Sequence, residues 1–270
     1  MKKSLLLWMS TLVLTMGGLS SCSSNDDEFS EPEDPSPEFA EGIGLNPRFT
    51  SSQTTTSNNG VEITRDSLGS IRWIVFQSKD IAPTSATALF SQYIGYDLEK
   101  DFRLYRQESS DWMENPIKVE CYQQQYKGII LYEAGFNVRF QNGKVIDCDG
   151  VYVPVDNLDV TPSFSLQRAK EIYAKYLKVP VENVGTGGIL IEFDDALMIA
   201  EFPVSKGSSQ WAPRLVYALS YNGMHNEGFC FLDAHTGRIL KTWNNYITNY
   251  SILTRGLYLI SAYRLPCWHR

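Results

Sequence analysis

The sequence predicts an α+β fold in which antiparallel sheets are each packed against a helix. Three observations carry that prediction. Apolar side chains alternate with period two from Ile117 onward, an Asn142-Gly143 pair separates two such runs, and one apolar helical face after Ser165 is followed by several further strand candidates. One helix laid on an antiparallel sheet gives the apolar face of each something to cover it.

The first 21 residues are set apart from the fold. Lys2 and Lys3 precede an apolar stretch, Leu5 to Met16, broken only by Ser10, Thr11 and Thr15. It is shorter than the roughly 20 residues that cross a bilayer, so it reads as a targeting segment. Leu19-Ser20-Ser21-Cys22 resembles a bacterial lipobox, which implies cleavage before Cys22, lipidation of its thiol and attachment to a membrane through the lipid anchor. Residues 22–60 then change composition. Eight acids, from Asp26 to Glu41, precede the first base, Arg48, and Pro32, Pro35, Pro37 and Pro47 punctuate the run. Such a segment cannot bury enough apolar area to offset its ordering entropy, so a solvated spacer is expected. The acidic cluster beside Cys22 also resembles the export tag that carries some lipoproteins to the outer face of the outer membrane. The expected location is therefore the cell envelope.

Without Lys2 and Lys3 the formal net charge of −7 becomes −9, and most of the excess lies in the spacer. No basic field remains to neutralise phosphates, which argues against nucleic acid as a partner. Residues 61–270 are enough for one large domain or two small ones.

Within that region, Val61 to Phe76 suggests a strand, with Ile71, Trp73, Ile74, Val75 and Phe76 at its centre. Thr84 or Ser85 caps a helix carrying Ala88, Leu89, Phe90 and Tyr93, which Gly95 closes. Residues 96–116 are polar and aperiodic and are expected to form a loop. Ile117, Val119 and Cys121 then alternate with polar residues, as do Phe136, Val138 and Phe140. Asn142-Gly143 suits a type I′ hairpin, and Asp149-Gly150 marks a second turn before Val151, Val153 and Val155. Ser165 caps a helix whose Leu166, Ala169, Ile172, Tyr173, Tyr176 and Leu177 share one face, and Pro180 ends it at or before Val179. Strands follow at 188–193, 197–202, 214–221 and 228–233. The turn Asp233-Ala234-His235-Thr236-Gly237 leads to a fifth, Arg238 to Trp243. The last 20 residues sustain neither period.

Two strings carry a family resemblance. Tyr122-Gln123-Gln124-Gln125-Tyr126-Lys127-Gly128, leading into Phe136 to Val145, resembles the propeptide module of fungalysin/thermolysin-type peptidases. Residues 165–178, Leu215 to Leu219, and Phe231-Leu232-Asp233-Ala234-His235-Thr236-Gly237-Arg238-Ile239-Leu240 resemble the PepSY module that follows it. The resemblance implies a cystatin-like architecture, with a first module over 61–160, a PepSY-like module over 161–247 and an extension of unknown role over 248–270. It departs at Ile130, where the family usually has proline, and at Ala134, near a usual glycine. Both departures favour a more regular second strand. Only 23 residues follow Ile247, too few for the peptidase domain that such propeptides precede.

Catalytic constellations are missing from the sequence. His225, His235 and His269 are its three histidines, and none begins the His-Glu-x-x-His that places two zinc ligands one helical turn apart. Gly-x-Ser-x-Gly is absent, and the glycines at 185–188 lack the lysine and helix of a phosphate loop. No cofactor, metal site or enzymatic activity is expected. Beyond Cys22, the four cysteines Cys121, Cys148, Cys230 and Cys267 allow three complete pairings; Cys121 with Cys148 requires their strands to be neighbours. Candidate partner-binding residues are Tyr126, Lys127 and Gly128, either a recognition edge or a short turn, and His235 and Thr236, either a presented contact or turn residues held by Asp233. Two function classes follow. One is a stand-alone propeptide relative that inhibits or helps to fold a separate secreted metallopeptidase; the other is a surface-anchored binding or scaffold protein with an unrelated partner. The sequence leaves the oligomeric state open.

Overall fold

The computed structural model describes residues 29–33, 36–39, 46, 52–110, 115–186, 196–222 and 227–244. Strands β1 (Thr54–Asn58), β2 (Val61–Arg65) and β3 (Ile71–Phe76) form an antiparallel meander. Helix α1 (Ala86–Leu89) follows, capped by Ser85, whose hydroxyl accepts from the Ala88 N–H; it continues as a π turn, Phe90–Ile94, that ends at Gly95 with φ 83°. Helix α2 (Leu98–Asp101) leads into β4 (Phe102–Ser109), and β5 (Ile117–Tyr126), β6 (Ile129–Gln141) and β7 (Lys144–Val151) complete the first half. Helix α3 (Leu166–Leu177) opens the second half. Ser165 caps it, and Lys178 closes it in the left-handed conformation. Strands β8 (Val184–Thr186), β9 (Leu197–Pro203), β10 (Trp211–Asn222), β11 (Glu227–Asp233) and β12 (Ile239–Asn244) follow.

The result is a mixed α+β fold. All of its strand pairs are antiparallel except β6 with β9, which meet in parallel at Leu131 and Ile199. Through that contact the order β1-β2-β3-β7-β6-β9-β10-β11-β12 runs as one sheet. On the first half, α1 and the π turn cover Phe136, Val138, Phe140 and Cys148 with Leu89, Phe90 and Ile94. On the second, α3 lays Ala169, Ile172 and Tyr173 over Leu215, Tyr217, Leu219 and Leu232. The opposite face of the second sheet is also apolar: Met198, Phe202, Val216, Ala218, Phe231 and Leu240 gather there with Phe39.

Several sequence expectations need correction. Residues 96–116 contain α2 and β4 rather than one loop. β4 pairs only with β5 at a sheet edge, and Phe102 is its one buried residue, so no apolar alternation marks it. Asp149-Gly150 is not a turn. Both residues lie within β7, where a Cβ on Gly150 would stand 2.2 Å from the Gly135 carbonyl oxygen and 2.4 Å from the Phe136 ring. Glycine there permits two strands to approach closely. Cys121 and Cys148 are free thiols, as is Cys230. β6 lies between β5 and β7, and Cys121 pairs with Asn137 while Cys148 pairs with the next residue, Val138, so the two thiols point to opposite faces. The expected strand at 188–193 lies outside the described residues apart from its neighbour β8, as do residues 1–28 with Cys22, His225 and the chain after 244.

The described parts of the acidic segment are not a solvated spacer. The Phe29 ring lies 4.2 Å from that of Phe164. Phe39 is buried, and β1 pairs with β2. Two aromatic residues supply the apolar area that the charged composition concealed.

β6 is less regular than the sequence implied. The β5–β6 register shifts between Gln123 and Gln125, Glu133 takes φ 57°, and Gly135 takes φ 156°. Two glutamine side chains satisfy the backbone groups that this bulge frees. The Gln123 amide donates to the Leu131 carbonyl and, at 2.7 Å, to that of Ala134. Gln124 acts as a strand partner for Val153, accepting from its N–H at 2.9 Å and donating to its carbonyl at 2.7 Å. A Cβ on Gly135 would meet the Tyr122 carbonyl oxygen at 2.1 Å, a backbone atom with nowhere to move. Gln123→Leu strands two buried carbonyls, each worth about 1–3 kcal/mol when unsatisfied. That variant and Gly135→Ala are both expected to lower the urea midpoint sharply, whereas Gln125→Leu, on an exposed contact to the Lys100 carbonyl, leaves it nearly unchanged.

Candidate functional site

The two groups of residues singled out in the sequence come together against one segment. Lys127 and Gly128 form the two-residue turn between β5 and β6, with φ 49° and 82°, the signs a type I′ turn requires. Lysine is not a residue that this geometry favours, but its side chain is used: Nζ donates to the Leu158 carbonyl at 3.2 Å and lies 5.1 Å from the centre of the Tyr126 ring. At the β11–β12 turn, one carboxylate oxygen of Asp233 accepts from the N–H groups of His235 and Thr236 at 3.0 and 2.9 Å. The His235 ring then reaches the Asp159 carbonyl, with Nε2 at 3.1 Å; the contact requires the tautomer that carries its proton on Nε2. Leu158 and Asp159 are adjacent. Lys127 and His235 therefore hold adjacent carbonyls of the same connecting segment, and Thr236 stays exposed.

The Asp159 carboxylate reports this convergence. Its pKa is lowered first by the Thr161 N–H, and the nearby charges of His235 and Lys127 act in the same direction. Two further bonds dock the connector. Ser163 N–H donates to the Ala234 carbonyl at 2.9 Å, and the Tyr217 hydroxyl donates to that of Phe164 at 2.6 Å. Beside Gly128 a groove of about 350 Å³ runs between Ile129 and Ile130 on one side and Leu166, Leu197 and Tyr217 on the other. A second hollow, of about 520 Å³, lies between Thr84–Thr87 and the Lys118, Glu120 and Tyr122 side of β5.

Burial pushes the Cys121 thiol up to about 11 and holds Cys148 and Cys230 well above the usual thiol range, so none supplies a thiolate at neutral pH. Among the described residues no three His, Cys, Asp or Glu side chains gather closely enough to hold a metal ion. Nor, among them, is any helix long and apolar enough to cross a membrane.

One charged cluster has no counterpart in the sequence reading. On the face of the first sheet opposite its apolar core, the Arg139 guanidinium donates to Asp147 through Nε and to Asp149 through NH2, the latter at 2.5 Å. The Trp73 ring lies 5.7 Å from the guanidinium, and Asn137 donates to Asp149 at 3.4 Å. Period-two spacing of Asn137 with Arg139, and of Asp147 with Asp149, placed on paired strands, was the available signal. Desolvation raises both carboxyls above their ordinary value of 3.8, and Arg139 opposes it.

The sign of the pH effect follows. Above 3.8 the unfolded chain releases protons that the folded chain still holds, so this pair makes stability fall as pH rises from 3.8 through the raised folded values. Urea titrations of the unaltered chain and of Asp147→Asn across that window check it. The midpoint of the unaltered chain is expected to fall more steeply with rising pH than that of the variant, which has one fewer buried carboxyl to ionise.

No family model matches the chain, and no curated protein matches it. Among solved structures, the Bacillus megaterium YpeB C-terminal domain gives a weak likeness. The alignment covers 72% of this chain and 88% of that one, at 13% identity and a TM-score of 0.34.

Proposed function

We propose that this chain is a non-catalytic envelope lipoprotein, anchored through Cys22, that binds a separate secreted metallopeptidase and inhibits it or assists its folding. The observation that carries the reading is the Tyr126-Lys127-Gly128 turn. It closes the Tyr122-to-Gly128 string that resembles a peptidase propeptide, and it stands exposed beside an apolar groove. An aromatic side chain, a cation and an open apolar hollow in one place are features of a protein-contact surface, where a few central residues supply most of the affinity. His235 belongs to the same reading as a residue that holds the connector, and Thr236 as an exposed contact beside it.

The test is titration of the purified chain into a thermolysin-type zinc peptidase secreted through the same envelope. Dose-dependent loss of peptidase activity, or a rise in its refolding yield, is expected. The double change Tyr126→Ala with Lys127→Glu is expected to weaken the effect about tenfold or more, a change of ~1.4 kcal/mol, while the chain stays folded. No effect on any such peptidase would end the reading in favour of a scaffold with another partner. The anchor is tested separately: Cys22→Ser is expected to move the protein from the membrane fraction to the soluble one, and unchanged fractionation would refute lipid attachment.

A further inference from the structure

The acidic segment makes a set of contacts that the peptidase reading does not use. Glu31 meets Arg168 at 2.8 Å and Lys175 at 2.5 Å, both on the outer side of α3. Glu38 lies 3.6 Å from Arg214 and 4.0 Å from Arg238. Each acid is accompanied by an aromatic anchor. Phe29 rests on Phe164 and beside Gly237, where any Cβ would stand 2.5 Å from its ring. Phe39 is 4% exposed, stacks on Phe202 at 5.9 Å and lies under the Arg214 guanidinium at 5.8 Å. The consecutive N–H groups of Glu38 and Phe39 donate to the carbonyls of Ile239 and Leu240 at 2.8 and 2.9 Å.

We propose that the second half of this protein carries a binding surface for an extended acidic-aromatic polypeptide, occupied in the resting state by residues 29–33 and 36–39 of the chain itself, and that a partner protein presenting a segment of the same chemistry takes it over. Charge complementarity fixes the class of ligand. Four cations, Arg168, Lys175, Arg214 and Arg238, are arranged in two pairs, and each pair faces one glutamate next to or near a phenylalanine. Two separated anchors, each an aromatic ring near an acid that meets cations, describe a docked peptide. Among the described residues, the segment's backbone donors to this surface are those of Glu38 and Phe39. Its occupancy in cis depends on the effective concentration that the covalent connection provides. A competing segment therefore needs both anchors and both acids. The proposal is independent of whether the partner is a peptidase.

The probe is a fluorescent peptide copying residues 27–41, added to the full chain carrying Phe29→Ser and Phe39→Ser, which weaken the resident occupant. The peptide is expected to bind this variant at least tenfold more tightly than it binds the unaltered chain, with affinity falling as salt rises. Adding Arg168→Glu and Lys175→Glu to the variant is expected to remove that binding without lowering its Tm. Equal binding to the variant and the unaltered chain, or binding indifferent to the charge reversal, overturns the proposal. Phe39→Ser touches a core cluster, so a second measurement uses the unaltered chain. Excess peptide is expected to accelerate hydrogen exchange at the Glu38 and Phe39 amides, and unchanged exchange at saturating peptide counts against the surface. Dimers of the unaltered chain that the peptide dissociates would instead make a second copy the occupant and overturn the partner assignment.

Discussion

The fold depends on a strand that changes partners midway. β6 keeps β5 along one edge, at Ile129–Ile130 and again over 135–141, while its other edge passes from β7 over 135–141 to β9 at Leu131, the start of the second sheet. Where that edge changes neighbour, the strand also departs from regular geometry. The bulge at Glu133 and Gly135 re-aims the chain, and the cost of a bulge is unsatisfied backbone in a buried place. Gln123 and Gln124 remove that cost. One caps the carbonyls freed in β6, and the other stands in for the missing neighbour of Val153. An amide side chain suits this role because it offers donor and acceptor without charge, so it can be buried at 2–9% exposure with no ion to desolvate.

That junction explains why the second sheet is buried on both faces. α3 covers one side, while the other gathers Met198, Phe202, Val216, Ala218 and Phe231 around Phe39. A segment rich in Asp, Glu and Pro gains nothing from burying its own polar atoms. Its two phenylalanines do gain, and its glutamates find cations that already stand on α3, β10 and the β11–β12 turn. Composition averaged over the segment therefore describes its solvation but misses its attachment, which is carried by residues ten positions apart.

Sequence reasoning located the elements whose signal is local. Ser165 was identifiable as a cap, the first cap was narrowed to Thr84 or Ser85, Asn142-Gly143 was identifiable as a type I′ turn, and Asp233 as one of two readings of the turn at His235 and Thr236, since each rests on one residue's own geometry or on a short-range hydrogen bond. It failed where the deciding partner is remote. β4 shows no alternation because only the other strand makes it a strand, and Gly150 resembles a turn glycine until β6 is seen pressed against it. The uninterrupted run Leu215-Val216-Tyr217-Ala218-Leu219 did carry the two-faced burial of β10, since a strand with one wet face would alternate. At the candidate site, the turn at Lys127-Gly128 was legible. Its link to Leu158, and that of His235 to Asp159, was not, because those acceptors are backbone carbonyls at separations of 31 and 76 residues.

Those links join surfaces that would otherwise be independent. Residues 158–164 take a hydrogen bond from Lys127 at one end, meet His235 and Ala234 in the middle, and present Phe164 at the other end, where Phe29 rests on its ring and Tyr217 donates to its carbonyl. Tyr217 also lines the groove beside Gly128. A ligand that pulls Phe29 away acts on Phe164, and a ligand that engages the Lys127 turn acts on Leu158, so both press on one short piece of backbone. Coupling between them needs that piece to have two arrangements of similar free energy. Its Leu158–Asp159 end is held by single hydrogen bonds from the exposed Lys127 and the half-exposed His235, whereas Ser163 and Phe164 are fixed by a backbone bond and the buried Tyr217 hydroxyl, so a second arrangement is cheapest at the first end.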